Sequence, residues 1–118
     1  MRPFDIREYF QDLDNGWRIN TITGSIFFKN EEVIINRGSV RKVLAALLKK
    51  RSGFKIFPFL RRNFDLADEG NEKEYNTAPW VKAMQLVVEK ILNKYGFTIR
   101  VENGPCNFKT EWSLCRAN

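Results

Sequence analysis

The sequence predicts a single α+β domain with an N-terminal three-stranded antiparallel sheet, three helices and a C-terminal β-hairpin. The chain has 118 residues, of which 43% are hydrophobic, and this is enough for one buried core. Strand-forming residues alternate with a period of two from Trp17 onward. Apolar residues then recur at helical spacing in residues 40–51 and 77–95, and a final alternating run begins at Phe97.

The N-terminal part contains an arm and then the sheet. Residues 1–16 are expected to form an arm or a short helix, because their apolar residues show mixed spacing before an Asp-Asn-Gly turn signal. The domain itself is expected to cover residues 17–118. Its predicted strands are residues 17–22, 25–29 and 33–36, with residues 30–32 connecting the last two.

Three helices are predicted between the sheet and the hairpin. Ser39 is expected to cap the first helix, and Gly53 to terminate it. The second follows a strand-like entry and begins at Pro58 or Phe59, since proline suits a first turn. The third covers residues 77–95. The predicted apolar faces are Val40, Val43, Leu44, Leu47 and Leu48 in the first helix and Trp80, Val81, Met84, Val87, Val88, Ile91, Leu92 and Tyr95 in the third.

The two cysteines lie in the closing hairpin, with Cys106 in its turn and Cys115 near the end of its second strand. This placement predicts a Cα separation too large for a disulfide, so we expect free thiols and a reducing, cytoplasmic compartment. No window approaches 18 apolar residues and no signal-peptide pattern occurs, so no membrane partner is expected.

The absence of histidine restricts the chemistry. The chain has no residues for a Ser-His-Asp triad, a Cys-His dyad, a histidine general base or most catalytic zinc or iron sites. Five acids in residues 65–74 lack the spacing of an EF-hand, so a solvated loop is expected there. We therefore expect no enzymatic activity, no catalytic residues, no cofactor and no metal.

The charge distribution points to a polyanionic partner. Twenty basic residues exceed 14 acidic ones, for a net charge of +6. Residues 37–62 contain nine basic residues and no acid. Nucleic acid is the partner that such a segment favours, and a basic face that serves only solubility is the alternative.

The order of the predicted elements resembles the winged-helix effector domain of the OmpR-type response regulators, over about residues 17–115. The resemblance implies that residues 77–95 form the recognition helix and residues 97–114 the wing, with Asn103-Gly104 in its turn. Receiver-domain residues are missing, so regulation is expected to take another route. Residues 77–95 offer few exposed cations, which shifts the expected docking face toward residues 41–62.

These observations predict a double-stranded DNA-binding protein that regulates transcription in a mobile or accessory genetic element. Lys82 and Gln85 are expected to read base edges, and Arg100 and Lys109 to act from the wing. The residues expected to neutralise phosphates are Lys49, Lys50, Arg51, Lys55, Arg61 and Arg62. The candidate nucleic-acid-binding residues are Arg41, Lys42, Lys49, Lys50, Arg51, Lys55, Arg61, Arg62, Lys82, Gln85, Arg100 and Lys109.

The alternative is a small phage-type inhibitor or adaptor that binds and blocks another protein, such as a nucleic-acid-processing enzyme. Aromatic residues and arginine dominate protein-binding hot spots. An exposed apolar cluster would favour a protein partner, and a smooth basic face would favour DNA. The other interpretation of the phenylalanines in this segment places them in the core beneath the basic residues. The candidate protein-binding surface is Phe54, Phe57, Phe59 and Phe64 around Arg61 and Arg62.

Overall fold

The computed structural model describes residues 9–64, 79–102 and 110–117, without the side chains of Arg61, Phe64, Pro79 and Trp80. These residues form an α+β structure, as predicted. The chain folds as two compact units, Met1–Lys49 and Lys50–Asn118. Each unit contains one antiparallel sheet.

The first unit is a four-stranded meander followed by a helix. Its strands lie in chain order in the sheet and pair antiparallel with their neighbours. The sequence predicted three strands in this sheet, and the structure has four. The elements are β1 (Phe10–Asp12), β2 (Trp17–Asn20), β3 (Ile26–Phe28), β4 (Glu31–Val33) and α1 (Gly38–Lys50).

The additional strand comes from the segment that the sequence assigned to an arm or a short helix. Asn15 and Gly16 adopt φ values of 67° and 91°, which allow the tight turn that returns β1 to β2. The Phe10 ring then packs edge-on against Phe27, with centroids 5.4 Å apart. Three residues are too few for a convincing alternation, so the sequence pattern did not reveal this strand. The remainder of the predicted arm, residues 1–8, lies outside the described residues.

The last strand of this sheet covers Glu31–Val33 instead of the predicted residues 33–36, because a two-residue turn precedes it. Lys29 and Asn30 have φ values of 50° and 71°, as a type I′ hairpin turn requires. Residues 31 and 32, which were predicted as a connection, consequently pair with β3, with Glu31 opposite Phe28.

The buried residues of the first unit include one side of the sheet and the predicted face of α1. Ile19, Ile26 and Val33 are register partners across three strands, and all are buried. The helix begins at Gly38, so Ser39 lies inside it instead of capping it. All five predicted face positions of α1 are confirmed as buried: Val40, Val43, Leu44, Leu47 and Leu48.

The second unit contains a three-stranded sheet and two helices. The sheet order is β5-β7-β6, so the predicted hairpin has a third strand. Trp112, in the central strand, pairs with Phe54 on one side and Val101 on the other. The elements are β5 (Phe54–Lys55), α2 (Ile56–Phe64), α3 (Pro79–Asn93), β6 (Phe97–Glu102) and β7 (Glu111–Arg116).

Two helix boundaries of the second unit differ from the prediction. α2 begins at Ile56, two residues before Pro58, which still falls in the first turn where no N–H donor is needed. α3 ends at Asn93, two residues before the predicted end, and its predicted start at residue 77 lies outside the described part. Gly96, three residues after the end of α3, has a φ of 87°, a conformation that favours glycine.

The inner side of α3 packs against β6, and its buried residues include Val81, Val88 and Leu92. Val87, which was predicted in the apolar face, is 39% exposed, so that part of the prediction is wrong. At 100° per residue, Val87 lies on the side of the helix away from these residues. Leu86 beside it is 65% exposed.

Candidate nucleic-acid interface

The predicted binding residues of the first unit all lie on α1. Lys42 and Lys49 are exposed and seven residues apart, so they occupy one side of the helix. Arg41 is half-buried, and its Nε lies 3.8 Å from the position that a Cβ on Gly24 would take. Its guanidinium therefore lies beside the β2–β3 turn.

The second unit has the larger positive charge. Its described residues include ten basic and three acidic ones, a net charge of +7. Over the whole of Lys50–Asn118 the net charge is +4, because residues 65–74 contribute −4 and Lys109, outside the described part, adds +1. The side chain of Arg61 is not described. The exposed predicted residues of this unit are Lys50, Arg51, Lys55, Arg62, Lys82 and Arg100.

Backbone hydrogen bonds attach the segment after α1 to the central strand. Leu114 N donates to Arg51 O at 2.6 Å, and Gly53 N donates to Ser113 Oγ at 3.2 Å. Arg51 has a φ of 68°, a left-handed conformation at the residue that follows the helix, where the sequence placed Gly53. The basic segment is thereby fixed to the sheet at its backbone, while its side chains remain at the surface.

Two arginines of the hairpin have partners within the protein. Arg100 Nε lies 3.2 Å from Glu102 Oε1, and both side chains are more than half exposed. The Arg116 guanidinium lies 5.5 Å from the centre of the Phe97 ring. These contacts make the described part of the hairpin a weaker phosphate-binding surface than its sequence suggests.

Gln85 is also less available than predicted. It is half-buried, and its Nε2 donates to Glu89 Oε1 at 2.7 Å. Bidentate recognition of adenine uses both the oxygen and the nitrogen of the amide. Gln85 would have to break this bond first, so Lys82 is the stronger candidate of the two predicted base-reading residues.

The exposed side of α3 combines cations with apolar residues. Lys82, Leu86 and Lys90 follow one another at intervals of four residues and share one side of the helix. Ala83 and Val87 form the adjacent row. We call these five exposed residues the α3 outer face. The side chains of Lys82 and Lys90 take part in no ion pair with any described residue.

The predicted protein-binding surface of phenylalanines is largely internal. Phe54 and Phe57 are buried, so this part of the alternative prediction is wrong. Phe54 packs edge-on against Phe59 and Trp112, with centroids 5.3 and 6.3 Å away. Phe59 is half-buried, and the side chain of Phe64 is not described.

The first unit has a shallow cleft of about 320 Å³, lined by residues of the β1–β2 and β3–β4 turns. Within it, Arg18 Nε contacts Asp12 Oδ1 at 2.6 Å. In residues 9–64, 79–102 and 110–117, there is no cluster of three or more potential metal ligands and no helix long and apolar enough to cross a membrane. Cys115, the cysteine within these ranges, is half-buried and forms no disulfide.

The comparisons with known proteins add no relative. No family model matches the chain, and no curated protein or solved structure matches it.

Proposed function

We propose that the protein binds double-stranded DNA through the cationic surface of its second unit. The observation that carries the proposal is the net charge of +4 on Lys50–Asn118, together with the exposure of most of the predicted cations among its described residues. Duplex DNA has one phosphate charge per about 1.7 Å of its axis, so a surface of this kind attracts it independently of sequence. Exposed lysines release counterions from the phosphates that they neutralise.

The helix α3 is suited to the major groove. An α-helix with its side chains is about 10–12 Å across, and the major groove of B-DNA is about 12 Å wide. Lys82 and Lys90 are exposed on the outer side of this helix. On this proposal both lysines contact phosphates when the helix enters the groove, so Lys82 contacts the DNA backbone instead of the base edge that the sequence predicted for it.

The order of the elements also supports a DNA-binding role. A sheet precedes three described helices, and paired strands follow them, in the order that resembles a winged-helix domain. On this proposal the protein regulates transcription in a mobile or accessory genetic element and acts in the cytoplasm. Its phosphate contacts include the exposed cations at the end of α1 and on α2.

Fluorescence anisotropy with a labelled mixed-sequence duplex, measured over a range of salt concentrations, tests the proposal. Each phosphate contact contributes about 0.9 to the slope of log K against log salt concentration. The variant Lys82→Gln/Lys90→Gln should therefore lower the magnitude of the slope by about 1.8. The matched control, Lys29→Gln/Arg37→Gln, removes two exposed charges from the first unit and should leave the slope unchanged.

Failure to bind any duplex at low salt would contradict the proposal. Equal effects of the two double variants would contradict the assignment to the second unit.

The alternative function, a protein-binding inhibitor or adaptor, is favoured by one observation, the exposure of Leu86 and Val87 on α3. A protein with that function should bind no DNA and should capture a specific protein in a nuclease-treated pull-down. Leu86→Lys should abolish that capture.

A further inference from the structure

The α3 outer face has apolar side chains at its centre and lysines at its ends. Leu86 is 65% exposed and lies one helical turn from Lys82 on one side and from Lys90 on the other. Val87, 39% exposed, and Ala83 form the adjacent row. None of these apolar side chains can form a hydrogen bond. The nearest acid on the described helix, Glu89, is half-buried and accepts the hydrogen bond from Gln85.

The charge of this face indicates what covers it. Lysine is depleted in protein–protein interfaces, whereas Lys82 and Lys90 flank Leu86 directly. A polyanion is complementary to this arrangement, because the flanking ammonium groups can contact phosphates while the apolar centre contacts something uncharged. Eight residues separate the two lysines, or about 12 Å along the helix axis, so their long side chains extend from the two ends of the apolar centre.

We infer that the α3 outer face recognises the C5-methyl groups of thymine in the major groove, an inference that rests on the proposed DNA binding. The thymine methyl is the apolar feature that the base edges present in that groove. Leu86 and Val87 are the groups that contact it, and Lys82 and Lys90 contact the phosphates on either side. The protein therefore prefers duplexes with thymine at the positions that Leu86 and Val87 reach.

The direct test replaces thymine by uracil, which lacks only the methyl group. Burial of one methyl or methylene group is equivalent to about a fourfold change in affinity. The intact protein should therefore bind a 20-base-pair A·T-rich duplex with thymine about four- to sixteenfold more tightly than the same duplex with uracil, for one or two contacted methyls. Anisotropy at fixed, low salt measures both affinities.

Two variants assign the discrimination to α3. Leu86→Ala/Val87→Ala should bind both duplexes equally, with the affinity that the intact protein has for the uracil duplex. The matched control, Ile22→Ala/Ile34→Ala, removes two exposed apolar side chains from the first unit and should keep the full preference. Circular dichroism of the variants verifies that each is folded.

The possible failures are distinguishable. Equal binding of thymine and uracil duplexes by the intact protein overturns this inference and leaves the proposed function intact. A preference that persists in Leu86→Ala/Val87→Ala overturns it as well. If neither duplex binds at low salt, the proposed function fails and the inference fails with it, and a protein partner becomes the better occupant of the α3 outer face.

Discussion

The orientation of α3 can be tested by the same substitution at two positions of the helix. Leu92 is fully buried and Leu86 is 65% exposed. Leu92→Ala removes three buried carbons, at about 0.8 kcal/mol each, and leaves a cavity, so the free energy of unfolding should fall by about 3–5 kcal/mol. Leu86→Ala loses only a third of the transfer energy, and alanine's better helix propensity offsets part of it. The expected loss there is below about 1 kcal/mol.

Urea unfolding followed by tryptophan fluorescence measures both variants. With an m-value of about 1.5 kcal/mol per molar urea, Leu92→Ala should lower the midpoint by about 2 M or more. Leu86→Ala should lower it by less than about 0.7 M. Equal losses, or a larger loss for Leu86→Ala, would show that Leu86 is buried. The α3 outer face would then not exist, and the inference built on it would be refuted.

Three further substitutions test the turns and the surface. Gly53 has a φ of 69°, and an added Cβ would lie 3.5 Å from Glu111 Oε1. Gly53→Ala should therefore lower the free energy of unfolding, measured by thermal unfolding, by about 1–2 kcal/mol. Gly38→Ala, the control, should leave it unchanged because an added Cβ there has nothing within 4 Å. Asn30→Gly should preserve the stability of the protein, because glycine suits the type I′ turn. Asn30→Val should lower the free energy of unfolding by at least about 1 kcal/mol, since a β-branched residue disfavours a φ of 71°. Equal melting temperatures of the two variants would contradict this turn. Asp12→Asn removes the ion pair with Arg18, but those side chains are 76% and 41% exposed, so urea midpoints should change by less than the equivalent of about 1 kcal/mol.

Elements with a local periodic signal could be predicted from the sequence. The face of α1 follows from apolar residues at positions three and four apart, and each of them is buried. The strand β1 could not be predicted in this way, nor could the pairing of β5, which the sequence predicted only as a strand-like entry to α2. β1 has three residues, and β5 has two that pair with β7, nearly sixty positions further along the chain. Such pairing depends on tertiary contacts, which no local pattern contains.

The candidate site shows the same limit. The exposure of Lys82 and Lys90 follows from helical periodicity. The contacts of the other predicted binding residues with acids of their own element were not predicted. Gln85 and Glu89 are four residues apart on a helix, and this spacing was the available signal for their hydrogen bond. Arg100 and Glu102 are two apart on a strand, which places both side chains on one face. Spacing within an element would have identified both pairs.

The central position of β7 determines when the second sheet can form during synthesis. Its hydrogen bond between Gly53 and Ser113 spans 60 residues, whereas every strand pair of the first sheet joins neighbours along the chain. A ribosome therefore releases β5 and β6 before the strand that joins them. The first sheet can form early, but Phe54 and Val101 have no cross-strand partner until Trp112 emerges. The interval before that release is when the nascent chain is most prone to aggregate and most in need of a chaperone.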